Sequence, residues 1–570
     1  MRLFNRERIS GYLTLFILFL EFDIFVLNLF ELSFAFSSIV YNIGLIVIIL
    51  FIFEVVLQFI LGPDLAPYLT NHWFQYLCIA VLIYSYSRLK SVSPTDPYLF
   101  IYSKLFLGII EVLLFTNFLM HLGRLREIIG SFRVNPAQVI ILSFGSIILF
   151  GSFLLYLPYA RPQGTQLRYI DTLFTSTSAV CVTGLTVVDT GTAFTRVGHI
   201  FILLLIQMGG LGIMTISAFI QVSLGSDMSL YGRVSTASIL DQGSLKNLYY
   251  LIRSIMLITF IVEAAGTLFL YPYFEGRHKN VLTALFYSVF HAVSAFCNAG
   301  LGLYSDNFVS ARGNIWVNFV VCMLIVTGGL GFTVIVNLYN RIRRGSAERI
   351  TVQTRMVIST TLFLIVFGAV LFFVYERGAM LKTYQPHERF LASVFQSVTT
   401  RTAGFNTVDI GSLRSITLFS MIMLMFVGAS PGGTGGGIKT TTFFILALSI
   451  LTILRDQRFN TIFKRRIPFA VVNRAFAILV TSAALVLMGT LLIGVSDKFT
   501  ALQLLFETAS AFGTVGLSTG ITGSLSDFGK IVIIFCMFVG RIGPLTLVLA
   551  IGTRPVSRLV TYPEERVMVG

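Results

Sequence analysis

Charge is scarce in this chain: only 12% of its 570 residues are Asp, Glu, Lys or Arg, about half the share found in an ordinary soluble domain. A surface made from so few charges cannot solvate a globule of this size, so a soluble protein is excluded. Cysteine is rarer still. Cys78, Cys181, Cys297, Cys322 and Cys536 all lie in apolar or pore-like sequence without paired spacing, which excludes a disulfide framework or a zinc site and predicts free thiols. The six histidines form no cluster, and no set of His, Cys and carboxylates stands at working spacing, so an enzyme is not expected. A cleavable leader is missing too. The first apolar stretch, Gly11 to Phe30, contains Glu21 and Asp23 and has no small-residue cleavage site, which predicts that it is retained.

What is abundant is apolar sequence, 55% of the chain. Runs at 136–158, 246–272, 313–338, 353–377, 470–494 and 528–552 are each long enough to cross a hydrocarbon core as a helix. Backbone groups in lipid must be satisfied internally, and no alternating barrel pattern is present, so an all-α integral membrane protein is expected. The net charge of +15 does not point to nucleic acid, because the basic residues sit in short loops. Arg2, Arg6 and Arg8 open the chain; Arg124, Arg126 and Arg133 fill one loop, Arg341, Arg343 and Arg344 another, and Arg455, Arg458, Lys464, Arg465 and Arg466 a third. An even number of crossings separates them, so the positive-inside bias places these loops and both termini in the cytoplasm.

One unit recurs four times. STSAVCVTGLT surrounds Gly184, HAVSAFCNAGLG Gly300, QSVTTRTAGFNT Gly404 and ETASAFGTVGLST Gly516, at separations of 116, 104 and 112 residues. In each copy a membrane-length helix leads to a short stretch of small and hydroxyl residues, a glycine, a polar loop and a second membrane-length helix. The short stretch cannot span. It reads as a re-entrant half-helix, and irregular backbone at membrane depth is tolerated only where it is buried or lines a water-filled cavity. Four such segments imply one shared aqueous axis.

Half-helices that stop near mid-membrane point their partially negative carbonyl ends at that axis, which favours cations. Extended residues beyond them can turn peptide oxygens inward to replace an ion's water shell, with glycine permitting positive φ. The candidate donors are Val182, Thr183, Gly184 and Leu185; Asn298, Ala299, Gly300 and Leu301; Thr402, Ala403, Gly404 and Phe405; and Thr514, Val515, Gly516 and Leu517. None is ionisable, so a dipolar selectivity filter is predicted rather than a carboxylate ring. Asp189, Asp306, Asp409 and Asp527 follow the four glycines on the predicted outer side. They either concentrate cations at an outer vestibule or are ordinary solvated loop residues.

These residues resemble the Trk, Ktr and HKT superfamily of potassium transporters over roughly residues 134 to 570. The segment AVCVTGLTVVDTGTAFTRVGHIFILLLIQMGGLGIMT carries the most specific likeness, and the ending YPEERVMVG is similar to Ktr-type pore subunits. The resemblance implies potassium uptake across the cytoplasmic membrane, because some sodium-favouring plant relatives have serine where this chain has Gly184; sodium as an accompanying cation is left open. It implies a homodimer in the membrane lipid, each subunit with its own pore, and a cytosolic ring of nucleotide-binding regulatory subunits. This chain has no dinucleotide-binding domain and is expected to bind no nucleotide itself.

Between the apolar stretches 420–428 and 441–453 runs GASPGGTGGGIKT, too rich in glycine and proline to stay helical. A flexible loop is predicted to interrupt the span. In relatives this loop lies below the filter and gates it, which makes Gly432, Gly433, Thr434, Gly435, Gly436, Gly437 and Lys439 candidate gate residues. Ile438 separates the glycines from Lys439, so the phosphate-loop spacing fails. Arg541 lies inside an apolar span and is expected to face the interior with an oxygen-bearing partner; in relatives it faces the gating loop. Arg401 is expected to point away from the axis and pair with a carboxylate. Glu507 and His291, placed at the starts of the fourth and second half-helices, read as helix-end groups meeting backbone donors or as a proton relay.

The expected organisation is therefore an accessory membrane module of four further helices at 1–125, pore repeats at 134–225, 246–340, 353–455 and 468–556, the gating loop at 428–440, and a cytoplasmic tail at 557–570. The N-terminal module lacks the periodic arginines of a voltage sensor. A secondary solute transporter of another class is the competing reading, but it would normally place ionisable groups at a midplane site between inverted repeats.

Overall fold

The computed structural model describes residues 136–212 and 248–551, apart from 163, 165–166, 346–348 and 458. The expected N-terminal module, the C-terminal tail with its YPEERVMVG ending, Cys78, and the basic residues before position 136 lie outside the described residues. Within them the chain is almost wholly helical.

Among the described residues four helices are long and apolar enough to cross a membrane: α1 (Pro136–Tyr156), α4 (Leu248–Glu275), α8 (Val352–Glu376) and α12 (Phe469–Ser496). Large apolar side chains such as Leu149, Leu268, Phe363 and Leu491 stand exposed on them, as suits helices that face lipid on one side. After each comes a short buried helix: α2 (Tyr169–Val180), α5 (Val281–Phe296), α9 (Pro386–Thr399) and α13 (Ala501–Gly513). Local signals set where these begin. Asn280 accepts from the Leu282 N–H at 2.9 Å, and Thr500 with Gln503 forms a capping box. Beyond them lie α3 (Arg196–Leu211), α6 (Ile315–Leu330), α10 (Ser415–Phe426) and α14 (Asp527–Ile542), continued by α7 (Phe332–Arg344), α11 (Thr440–Leu454) and α15 (Pro544–Ile551). A two-residue-turn hairpin, Thr461–Ile462 paired with Arg465–Arg466, links α11 to α12.

Each long helix packs on its own short helix, α1 on α2, α4 on α5, α8 on α9 and α12 on α13. The following helix then reaches the next short helix along: α3 packs on α5, α6 on α9, α10 on α13, and α14 back on α2. The contacts run round a closed circuit. Where that circuit closes, Lys530 Nζ lies 2.7 Å from Asp171 Oδ1 with both side chains almost buried, and Arg168 meets Asp527 at 2.9 Å on the surface.

Two of the expected spans are not single helices. The run 313–338 breaks at Gly331, where α6 and α7 bend 100° apart, and the run 528–552 breaks at Gly543. Both glycines sit near φ +92°, and Gly212, which ends α3, sits at +80°; only glycine adopts this region cheaply. Hydropathy sees a continuous apolar run because it carries no information about dihedral sign. The signal was nonetheless present, as GGLG at 209–212 and 328–331 and GRIG at 540–543. The first glycine of each set allows close packing, since a Cβ on Gly209, Gly328 or Gly540 would collide with the carbonyl oxygen of Val180, Phe296 or Phe512 at the end of a short helix.

Candidate functional site

The four short helices end in loops with one backbone signature. Val182, Asn298, Thr402 and Thr514 have φ between +49° and +74°, and the glycines two residues later, Gly184, Gly300, Gly404 and Gly516, lie between +66° and +93°. Non-glycine residues rarely accept this region, and a β-branched one such as Val182 least of all. The composition-based reading named these residues only as oxygen donors and missed the strain.

The loops meet one another through their glycines. A Cβ on Gly184 would lie 2.6 Å from the Ala299 oxygen, one on Gly300 2.7 Å from the Ala403 oxygen, and one on Gly404 2.5 Å from the Val515 oxygen. A Cβ on Gly516 would fall on the Thr183 oxygen, which returns the circuit to its start. All sixteen candidate donors except Gly516 are buried. Hydroxyl groups of the short helices hold the loops. Ser178 and Ser510 accept from the N–H of Gly184 and Gly516 at 3.0 and 3.1 Å, while Ser294 and Thr399 donate to the oxygens of Leu301 and Phe405 at 2.7 and 2.6 Å. Asn298 and Thr402 pair their side chains at 3.1 Å.

Glu507 is not at the start of its short helix, as expected, but in the middle of α13, and His291 lies late in α5. The capping box at Thr500 starts α13 earlier than the hydroxyl pattern alone suggests. Both side chains tie down the chain beyond the glycine: Glu507 accepts from the Thr519 N–H at 3.0 Å and the Thr522 hydroxyl at 2.9 Å, and His291 Nε2 accepts from the Leu303 N–H at 3.4 Å.

The segment 427–439 passes directly under these loops. It is irregular, as expected, but firmly bonded. Ser430 and Thr434 N–H groups donate to the oxygens of Gly329 and Gly328 at 3.0 and 3.2 Å, Gly437 N–H to Gly540 O at 3.2 Å, and Gly436 N–H to the Thr514 hydroxyl at 2.8 Å. A Cβ on Gly435 would be 2.8 Å from Thr402 Cβ, and one on Gly436 2.6 Å from Thr514 Oγ1. Gly432, with φ +70°, accepts from the Phe332 N–H at 2.9 Å, and Gly433 donates to Ser430 O at 3.1 Å. Lys439 Nζ returns to Gly435 O at 2.8 Å. Arg541, at the break of α14, donates to the oxygens of Thr434 and Gly209. It clamps the segment to the first unit from the fourth.

The four aspartates all have local partners. Asp189 and Asp409 accept from the N–H groups of Gly191 and Gly411 at 2.8 and 3.1 Å, Asp306 from that of Ser310 at 3.0 Å, and Asp527 pairs with Arg168. Arg401 contradicts its expectation. It is 8% exposed, lines a pocket with residues of α6 and α8, and forms an ion pair with no described carboxylate. The sequence reading assumed that a buried cation brings its own counter-charge. Other buried polar groups were missed entirely: Glu376 accepts from Arg414 N–H at 3.0 Å and the Thr417 hydroxyl, and Asp497 from Ser526 N–H at 2.7 Å. Among the described residues no group of His, Cys, Asp and Glu could hold a metal, and Cys181, Cys297, Cys322 and Cys536 are free thiols.

Membrane-length helices enclosing short buried helices, with uncharged backbone turned together at their ends, define a multi-pass membrane transport protein. The chain belongs to the TrkH family of cation transport proteins, whose family model matches residues 105–560. It is 38% identical over 446 residues to the Ktr system potassium uptake protein B of Bacillus subtilis, covering 78% of this chain and 99% of that one. Against the protein of the same name from Vibrio alginolyticus it is 39% identical over 435 residues, 76% of this chain and 94% of the other. The potassium/sodium uptake protein NtpJ of Enterococcus hirae is 35% identical over 451 residues, 77% and 98% of the two chains. The crystal structure of the potassium transporter TrkH from Vibrio parahaemolyticus matches with a TM-score of 0.59 over 91% of this chain and 98% of that one; at 16% identity the likeness concerns the fold. The resemblance read from the sequence is borne out: this is a Ktr-like member of the Trk/Ktr superfamily, a transporter and not an enzyme.

Proposed function

We propose that the chain carries potassium across the cytoplasmic membrane through a single-file filter of peptide oxygens from the four glycine loops. One observation carries this reading. Each loop glycine has its Cβ position filled by the next loop around a closed circuit, so the four turns surround a common axis with no side chain between them. Helix C-termini aim partial negative charge at that axis, and carbonyl oxygens replace an ion's hydration without a fixed charge. The potassium-uptake names of the relatives support the ion assignment, and the name of NtpJ keeps sodium as a second cation.

The 428–440 segment is the gate, with Gly432 to Gly437, Lys439 and Arg541 as its working parts. It presses on Thr402 and Thr514 at the base of the filter. At the outer face Asp306 and Asp409 are exposed and add negative potential at the vestibule; Asp189 adds less, and Asp527 least because Arg168 neutralises it. The functional unit is a homodimer with both termini cytoplasmic, joined by a cytosolic nucleotide-binding ring that docks on the basic loops, while this chain binds no nucleotide.

Flux into proteoliposomes, with potassium, rubidium and sodium in competition, tests the reading. Gly184→Ser puts a side chain against the Ala299 oxygen and is expected to abolish the preference for potassium over sodium. Deleting Gly432 to Gly437 is expected to raise flux. A Gly184→Ser protein that folds and keeps the parent's selectivity would refute the filter.

A further inference from the structure

Arg401 of the third loop and Thr361 line one pocket, together with Ile325, Val326, Gly329 and Ala429; none of the four loop glycines lines it. Arg401 Nε is buried without a hydrogen-bond partner, and so is the Thr361 hydroxyl. The backbone acceptors on the wall are already engaged: Gly329 O takes the Ser430 N–H at 3.0 Å, Ala429 O the Thr440 N–H at 3.3 Å, and Val398 O the N–H of Arg401 itself at 3.1 Å. The pocket therefore holds a charged donor and an unmet hydroxyl, and no carboxylate pairs with the guanidinium among the described residues.

The adjacent quadrant shows what the protein does when it supplies its own acceptor. Between α3, α4 and α5, Gln207 Nε2 donates to Glu263 Oε2 at 3.2 Å, and the Cys297 thiol lies 3.9 Å from the other carboxylate oxygen. Between α6, α8 and α9 the chain has placed a guanidinium and a hydroxyl instead, with no carboxylate. Water in that space would meet the donors but leave the charge uncompensated, and a buried charge without a counter-charge is strongly disfavoured. A cation is excluded by the guanidinium.

We propose that this pocket binds one small monovalent anion of the chloride class, held by the Arg401 guanidinium and the Thr361 hydroxyl. The anion neutralises the cation next to the third filter loop, where an unbalanced positive charge would oppose ion entry. Binding is argued from the pocket alone, its effect on ion entry rests on the proposed filter, and the test reads binding rather than flux.

Purified full-length protein in detergent is unfolded thermally while bromide replaces gluconate at fixed potassium and fixed ionic strength. Bromide is expected to raise the unfolding temperature along a saturating one-site curve, as a ligand of the folded state does. Thr361→Val should move the midpoint to roughly tenfold higher bromide, the change expected from one hydrogen bond to an ion, and Arg401→Gln should flatten the curve. An unresponsive parent overturns the proposal, as does a non-saturating rise shared by parent and variants, or a responsive Arg401→Gln. If Arg401→Gln does not fold, an unchanged midpoint in Thr361→Val overturns it alone.

Discussion

Replacing Arg541 with glutamine removes the clamp between the 428–440 segment and the rest of the fold. The guanidinium donates to Thr434 O in that segment and to Gly209 O on α3, and hydrogen bonds from a charged donor are worth about 1.5–3 kcal/mol each. The sum is an upper bound. Glutamine reaches one carbonyl at best, but it also relieves the burial of a cation, which by itself costs several kcal/mol. A net weakening of about 1–3 kcal/mol is left, which shifts the ratio of seated to displaced segment by roughly 5- to 150-fold. Initial rubidium uptake by potassium-loaded proteoliposomes reads the result, and it should rise. Arg541→Lys separates the clamp from the charge: lysine keeps the positive charge but cannot fork to two carbonyls, so uptake should rise to an intermediate level. If Arg541→Gln is no faster than the parent, or Arg541→Lys matches the parent while Arg541→Gln is faster, the clamp is not what holds the segment.

The pair Lys530–Asp171, at 2.7 Å and nearly buried, joins the fourth unit to the first. Lys530→Met alone should lower thermal stability by about 1–3 kcal/mol, because Asp171 loses its buried partner and keeps only the exposed Arg168 at 3.4 Å, and Lys530→Met with Asp171→Leu should recover much of the loss; equal losses in the single and double variants would show that the pair is not coupled. Asp497 sits just past the end of α12; burial would raise its pKa from 3.8, but hydrogen bonds from Ser496 and Ser526 outweigh that and hold it below. Its contribution is therefore full above about pH 4 and disappears as the pH falls through the lower folded-state value. Asp497→Asn should be less stable at neutral pH and lose less on acidification, measured as unfolding temperature against pH; parallel curves for variant and parent would refute the assignment.

The sequence disclosed what hydropathy and composition encode: the long helices, the short hydroxyl-rich helices, the glycine loops and the break between α10 and α11. It concealed what depends on dihedral sign or on distant partners. Gly331 and Gly543 break helices whose apolar runs continue unbroken, and only the recurrence of GGLG and GRIG hints at it. Arg541 was legible as an interior cation, because an arginine in an apolar span must find oxygen, yet its two acceptors lie 107 and 332 residues away. Arg401 was read by the same rule and the rule failed, since nothing local dictates that the acceptor belongs to the chain. Lys530 and Asp171 are each unremarkable in sequence and meaningful only across the closing contact of the circuit.

The hydroxyl-rich composition of the short helices has a physical cause in the strain they terminate. Four non-glycine residues held at positive φ cost about 1–3 kcal/mol each, and the conformation persists only if its surroundings over-determine it. One hydroxyl bond per loop, from Ser178, Ser294, Thr399 or Ser510, supplies about 0.5–1.5 kcal/mol and does not suffice alone. Four residues earlier, one turn back along each helix, stand Phe174, Phe290, Phe395 and Phe506, all essentially fully buried, whose close packing adds many small dispersion contacts. Anchor and clamp act together, and the spacing of four between them is kept in every unit. In the third unit both lie one residue nearer the glycine than in the others, so the stretch from clamp to glycine is shorter by one residue, and that stretch carries Arg401 and rests on Gly435 of the segment beneath. The four quadrants are thus alike in how they hold the backbone and unlike in how tightly it is drawn, and the asymmetry falls where the irregular segment bears on the circuit.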